Sequence, residues 1–531
     1  MHEYGLFKDA LAVFHRLLNM SMELFGKNCS DTAMIYGMMA QLCAELGKHE
    51  DALNYACHAK RIVEKLKEEM PFTIIMVYLS IANSFYLYGK KEESLSCYER
   101  IMKLSNGLEL EHEQEIVVNV IIGVYYCIKK EYQKALDYLQ KSVDVEGNDD
   151  IYSALKCMYL GEVYFALEKY DDAMEQYRKA LSVVEKKYGR SSVYLGYVYS
   201  SIADVFNETN QYNEALEYGQ KALAVFREKF DNGNVVIARI NKTIGYAYYG
   251  LEEYQEALHY YQQAITILRH LGAEEYILAE TINQAGNVYY AKKEYQDALK
   301  CYQQALELHK KLGIEDSSTA IIMDNICYAY NQIEERHTAL EYRKEALSIR
   351  ERLGEGITAD IYNTVGIDCY DLQEYQDALQ YFQIALEVQK KLVVEDTFTA
   401  SINNIIGNAL RGLGKNKEAL EYYKQALGVL KRLGVEISLT ASISNNIGDA
   451  LNSLEKYKEA KKYHKAALAI RNKIGESIKA DQYNVVGVVC YNLREFDEAL
   501  KYYHKALGLQ KEFGIEDTLT ASINNNIGNA L

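Results

Sequence analysis

Residues 438–475 read "SLTASISNNIGDALNSLEKYKEAKKYHKAALAIRNKIG". Ile443, Ile447, Leu451 and Leu454 recur at i, i+4, i+8 and i+11, which places them on one face of a helix. Tyr457, Ala460, Tyr463, Ala467, Ile470 and Ile474 make a second stripe of the same kind. Gly475 closes that second stripe, where a left-handed C-terminal cap is expected. The stretch therefore predicts two amphipathic helices joined by a short turn. Such a pair is too small to bury its apolar faces alone and needs neighbours of its own kind.

The neighbours are present along the whole chain. The signature Y-x-x-A-L returns as "YQKAL" (132–136), "YNEAL" (212–216), "YQEAL" (254–258) and "YQDAL" (295–299 and 375–379). Its alanine, once serine, falls at Ala10, Ala52, Ser94, Ala135, Ala173, Ala215, Ala257, Ala298, Ala339, Ala378, Ala419, Ala460 and Ala499. Twelve residues earlier, from Ala52 onward, stands a small residue: Ala40, Ala82, Gly123, Gly161, Ala203, Gly245, Gly286, Cys327, Gly366, Gly407, Gly448 and Gly487, with Gly528 opening one more unit. A small residue fixed in mid-helix predicts the close approach of a neighbouring helix, because glycine there otherwise costs about 1 kcal/mol. Glycines at 272, 313, 354, 434, 475 and 514 follow second helices, and Asp316, Asp396 and Asp517 stand where the next helix needs an N-cap. In this register residues 1–26 match a second helix, 27–517 twelve helix pairs, and 518–531 a first helix. Unpaired helices at both ends predict a segment of a longer polypeptide, or ends covered by another chain.

This pattern resembles the tetratricopeptide repeat family over nearly the whole chain. The small residue in the first helix, the Tyr or Phe opening the second, the signature alanine and a further alanine seven residues on (as at Ala180, Ala222, Ala264 and Ala305) all match. The long units, with "NNIGNAL" among them, look most like the kinesin-light-chain and Pins/LGN-like branches. The family's helix-breaking proline and first-helix tryptophan are missing. The resemblance implies an all-α, right-handed superhelical solenoid of antiparallel helix pairs whose first helices line a concave face. A longer period overlies the short one, since "DTFTASINNIIGNAL" (396–410) returns as "DTLTASINNNIGNAL" (517–531).

Composition narrows the function classes. The chain of 531 residues has one proline, no tryptophan and a formal net charge of −16. No basic run exists to neutralise phosphates, so nucleic acid is disfavoured as a partner. No apolar run has membrane-spanning length, and the first residues carry charges within their periodic pattern, unlike a signal peptide. Ten scattered cysteines without a CxxC pair predict reduced packing residues in a cytoplasmic protein.

Catalytic signatures are missing: there is no P-loop, GxGxxG, HExxH or GxSxG. The "EHE" at 111–113 is read as a solvated turn rather than a metal site. The expectation is a non-enzymatic protein without cofactor or metal.

What remains is the groove. With the small residue numbered 8 in each repeat, positions 2, 5, 9 and 12 face the ligand in the resembling family. Position 5 carries Asn283, Asn363, Asn404, Asn445, Asn484 and Asn525; position 9 carries Asn287, Asn408, Asp449 and Asn529; position 12 adds Tyr290, Tyr370 and Tyr491. Positions 5 and 9 share one helix face. An amide both donates and accepts, so a ladder of amides suits the backbone of an extended peptide. The alternative makes these asparagines struts between neighbouring repeats. In the N-terminal third the same positions hold Met76, Leu79, Val117, Val120, Val124 and Met158. They form either an apolar sub-site for an amphipathic segment or a tighter, buried stretch. The expected function is a protein-interaction scaffold binding an extended peptide or disordered segment, of unknown oligomeric state. A second reading makes the array the sensor or autoinhibitory arm of a larger signalling ATPase or protease.

Overall fold

The structure is a computed structural model that describes residues 2–45, 49–66, 71–87, 91–141, 151–188, 192–229, 235–272, 275–391 and 396–531. Among the described residues every regular element is a helix, twenty-six in all, from His2–Leu24 to Thr518–Ala530. They gather into two compact units, Met1–Ile314 and Glu315–Leu531. In the first unit Val193–Glu208 packs on Tyr212–Lys229, Val235–Gly250 on Tyr254–Leu271, and Glu275–Ala291 on Tyr295–Leu312. In the second, Thr397–Gly412 packs on Asn416–Arg432, and Ser438–Ser453 on Tyr457–Lys473. Each unit is thus an array of antiparallel helix pairs.

The punctuation follows from local chemistry. Asp316, Asp396 and Asp517 accept the backbone N–H of Thr319, Thr399 and Thr520 at 3.1, 2.8 and 2.8 Å, satisfying donors that a helix start leaves open. The glycines closing second helices adopt positive φ, between 58° at Gly272 and 73° at Gly475. Among the described residues, turns inside the pairs hold one more left-handed residue: Gly414 in one repeat, and Lys130, Asn210, Glu252, Gln373 and Arg494 in others, these five at φ of 59–63°.

The small residue at position 8 is where the two helices of a repeat touch. A Cβ added to Gly286, Gly366 or Gly487 would lie 2.5 Å from the ring of Tyr302, Phe382 or Tyr503. At Gly123 it would meet Leu139 at 2.6 Å, and at Gly448 the ring of His464 at 2.5 Å. These side chains all stand four residues after the signature alanine, and all are buried. The glycine is a socket for the second helix's largest inward side chain. Gly508, in the exposed middle of Phe496–Glu512, has nothing within 4 Å of the same atom.

The two kinds of glycine should respond oppositely to alanine. Gly366→Ala drives a methyl into Phe382 and is expected to cost about 1–3 kcal/mol. Gly508→Ala gains helix propensity without a clash and should stabilise by about 0.5–1 kcal/mol. Urea unfolding of the two variants against the parent chain checks both signs.

Candidate binding face

First helices of neighbouring repeats meet directly, as Val193–Glu208 does with Val235–Gly250, and Thr397–Gly412 with Ser438–Ser453. Within each unit the first helices therefore form the inner layer of the curve. Side chains at positions 5 and 9 meet two neighbours there, their own second helix and the first helix of the next repeat.

The amides respond to both. Tyr302 Oη donates to Asn287 Oδ1 at 2.9 Å, and Tyr423 Oη to Asn408 Oδ1 at 2.8 Å, each within one repeat. Between repeats, Asn446 Nδ2 donates to Asn404 Oδ1 at 2.9 Å and to Asn408 Oδ1 at 3.2 Å. Asn526 Nδ2 repeats the bond two repeats later, onto Asn484 Oδ1 at 3.1 Å. Asn446 and Asn526 both occupy position 6. His464 Nδ1 lies 3.2 Å from Asn445 Oδ1, an acceptor, which fixes the imidazole proton on Nδ1. Asp449 takes Arg411 at 2.9 Å and lies 3.8 Å from His464 Nε2. Burial pushes the His464 pKa down, with Asp449 opposing the shift.

The carbonyl ends of the ladder are thus occupied by the protein itself. The nitrogen ends of Asn404, Asn408, Asn445 and Asn484 make no hydrogen bond among the described residues, and none is a buried orphan. The ladder offers donors more than acceptors. Asn363 departs from the pattern: it is 7% exposed and its Oδ1 is buried without a partner. The next repeat has Ile405 at position 6, where Asn446 and Asn526 supply their bonds. Asn283, Asn287 and Tyr290 make further interactions, whereas Asn525 and Asn529 are exposed.

The position-12 tyrosines lean on the aromatic residue that opens their own second helix. Tyr290 meets Tyr295 at 5.4 Å, Tyr370 meets Tyr375 at 5.3 Å and Tyr491 meets Phe496 at 5.5 Å, all edge-on. The apolar positions of the first unit are closed over. Val117, Val120, Val124 and Met158 are less than a tenth exposed, and Met76 and Leu79 are partly buried against the same core. Apolar side chains at a tight inner layer bury one another, so no open apolar groove is found at these residues.

Two models described as tetratricopeptide repeat match the chain. One covers residues 3–65, 154–228, 200–270, 236–311, 277–352, 318–391, 357–432 and 397–473; the other covers 480–513. The chain belongs to the tetratricopeptide repeat family. A relative is the clustered mitochondria protein homolog of Candida albicans, 23% identical over 187 residues. That match takes in 34% of this chain and only 14% of the relative's length. The fold is similar to a Rap protein complexed with competence and sporulation factor (TM-score 0.45, 16% identity, 69% of this chain and 99% of that one). It is also similar to a chain of the APC/C hetero-tetramer Cut9–Hcn1 (TM-score 0.36, 13% identity, 94% and 96%). At these scores neither likeness carries a residue-level correspondence.

The tetratricopeptide register also exposes polar residues that a search for asparagine overlooks. Position 9 holds Glu162 and Asp204 in successive repeats of the first unit. Burial raises Glu162 to about 7, opposed by Arg239, and Asp204 to about 6, opposed by its bond from Thr243. In the second unit Arg343 replaces the inward ring. It bonds Asp368, lies 3.8 Å from Asp324 and stacks over Tyr328 at 4.7 Å. Cys490, Glu495 and Glu498 converge as metal ligands could, but Lys461 bridges both carboxylates and Lys465 adds a second cation on Glu498. That cluster is an ion-pair network, and it holds Glu498 down at about 2. The side chains of His112 and Glu113 lie outside the described residues. Reading position 9 in every repeat would have found both carboxylates; only the structure could show the Arg343 network.

Two outcomes follow. Asn446→Ala leaves the Asn404 carbonyl without its donor and removes one of the two donors to Asn408, and is expected to lower unfolding free energy by about 1–3 kcal/mol. A double-mutant cycle with Asn408→Ala should then be non-additive. For Glu162 the folded pKa lies above the unfolded one. Its contribution to stability is therefore full below the ordinary glutamate value of 4.5 and is lost as pH rises through about 7. Melting scans from pH 5 to 8 should show Glu162→Gln gaining stability relative to the parent as pH rises.

Proposed function

We propose that the array is a protein-interaction scaffold whose inner layer, at residues 397–531, holds an extended peptide segment of another protein. The observation that carries this reading is the row of amide nitrogens on Asn404, Asn408, Asn445 and Asn484, unbonded among the described residues. Carbonyl ends bonded inside the array keep each amide from rotating. The free N–H groups are then preorganised toward carbonyl oxygens, which every extended peptide carries whatever its side chains. Edge-packed tyrosines at position 12 supply rigid apolar surface beside them.

The test separates binding from bracing. Asn408→Asp with Asn484→Asp keeps an acceptor for Tyr423, Asn446 and Asn526 but removes the nitrogen donors. Peptides are selected on the intact 531-residue chain from a random twelve-residue library, and one is titrated against parent and variant. The variant should keep its helicity and lose at least tenfold in affinity. Equal affinity would leave the asparagines as struts alone.

A further inference from the structure

We propose that the inner layer of Glu315–Leu531 carries an anchor site, formed by Ile321, Tyr328 and Ile367, for one bulky apolar side chain, leucine or phenylalanine, of the bound segment. The inference rests on the scaffold reading and deepens it, adding a side-chain preference to a ladder that reads only backbone.

The site is built on one helix stripe. Ile321, Asp324 and Tyr328 stand at positions 2, 5 and 9 of Ser317–Gln332, so i, i+3 and i+7 place them on one face. That face keeps the register of the asparagine ladder. Ile321 is 50% exposed and Tyr328 48%, and Ile367, at position 9 of the next first helix, is 36% exposed. Elsewhere apolar side chains at position 9 are covered: Val124 is buried, and Val488 in this same unit is partly buried. Single exposed apolar side chains are ordinary on a protein surface. Three on successive helices of an inner layer that covers its valines form a patch.

One buried guanidinium holds the patch together. Arg343, on the second helix Arg336–Leu353, places its guanidinium carbon 4.7 Å from the Tyr328 ring centre. The same guanidinium bonds Asp368, the residue that follows Ile367. Tyr328 and the helix turn carrying Ile367 are thus tied to one group. Arg343 is buried and covers one face of the ring, so the exposure of Tyr328 belongs to the other. A ring clamped on one side loses little freedom when a ligand covers the opposite side.

The charge around the patch selects an apolar occupant. Asp324, between Ile321 and Tyr328, is bonded by Arg350 at 2.6 Å and lies 3.8 Å from Arg343. Asp368 has Arg343. Both carboxylates beneath the patch therefore have a guanidinium of their own, and neither is left to pair with a charged side chain of the ligand. Burial of apolar area is the interaction that remains. The patch also adjoins the ladder, because Ile367 stands one repeat before Asn404 and Asn408 in the same unit.

Twelve-residue peptides are selected on the full chain from two libraries, one random and one lacking every aliphatic and aromatic residue larger than alanine. A fluorescein-labelled binder from the random library is titrated onto the parent, Ile321→Ser, Ile367→Ser and, as control, Leu353→Ser, which alters an apolar residue 44% exposed at the end of a second helix. Random-library binders should share a leucine or phenylalanine at one position, and serine there should weaken binding about tenfold. Ile321→Ser and Ile367→Ser should each weaken the unaltered peptide about fivefold with unchanged circular dichroism, while Leu353→Ser stays within about twofold. The serine peptide should lose little more on these two variants, so that the losses do not add. Additive losses, or an equal loss in Leu353→Ser, would reduce the patch to general stickiness and overturn the proposal. Depleted-library binders of equal affinity would also overturn it, and would leave the scaffold reading standing if they still depend on Asn408 and Asn484. A parent that sediments as a dimer, with an Ile321→Ser, Ile367→Ser double variant that sediments as a monomer, would give the patch to a second copy and overturn it as well. No binder from either library would overturn both readings together.

Discussion

The contact on which the rest depends is the one between the position-8 glycine and the inward side chain of its own second helix. It brings a bare backbone surface against a ring or Leu139, at a distance no Cβ would tolerate. That contact sets how near the two helices lie and so places positions 5, 9 and 12 on the inner layer. Position 8 is not always glycine: Ala82 keeps a ring, Tyr98, but in two other repeats the pairing residue differs. Cys327 is met by Arg343, and the Ala203 repeat has Gly219 in place of a ring, against Ile244 of the next first helix. Repeats with the same backbone plan thus present different chemistry because one socket is filled differently.

Much of this was legible in the sequence. The helix pairs, the closing glycines and the aspartate caps each follow from local chemistry that a repeat carries within itself. Periodicity reports which face of a helix is apolar, and the 38–42-residue spacing reports that such faces are stacked. The parts that were not legible depend on two repeats at once. Nothing in the Asn404 repeat says that its carbonyl is bonded, because the donor is Asn446 on the next first helix. Asn363 looks identical in sequence, yet Ile405 gives it no donor and its carbonyl is orphaned. In the same way Val117, Val120 and Val124 sit at groove positions but are buried, since apolar side chains on an inner layer close over each other.

The amides brace neighbouring repeats through their carbonyl ends. Groove lining and bracing compete only if the whole side chain is assigned to one task. A carboxamide has an accepting end and a donating end, and the array bonds the accepting end through Tyr423, Asn446 and Asn526. The asparagine at 526, off the groove positions, is a donor in that bracing. The same residue type one repeat apart therefore serves as strut and as strut partner, which explains amides at positions 5, 6 and 9 together.

Position 9 follows a pairing with the inward side chain that extends the argument. Tyrosine pairs with asparagine at 98 and 83, 302 and 287, and 423 and 408, each through a hydroxyl bond. His464 pairs with Asp449, Arg343 stacks on Tyr328, and apolar Phe382 and Leu139 stand with Ile367 and Val124. In these repeats position 9 is first an internal partner matched in polarity to the inward side chain, though Val488 stands with Tyr503 in the Gly487 repeat. A mismatch is then informative, because that residue is not explained by the fold. Asp204 stands opposite Gly219, which has no side chain to meet it, and turns instead to Thr243. Glu162 acts on Tyr177 by charge alone, and the Tyr177 hydroxyl bonds Ser201 instead. Arg239 acts on Glu162 and Lys242 on Asp204 from beyond ion-pair distance, whereas Asp449 has Arg411 at 2.9 Å.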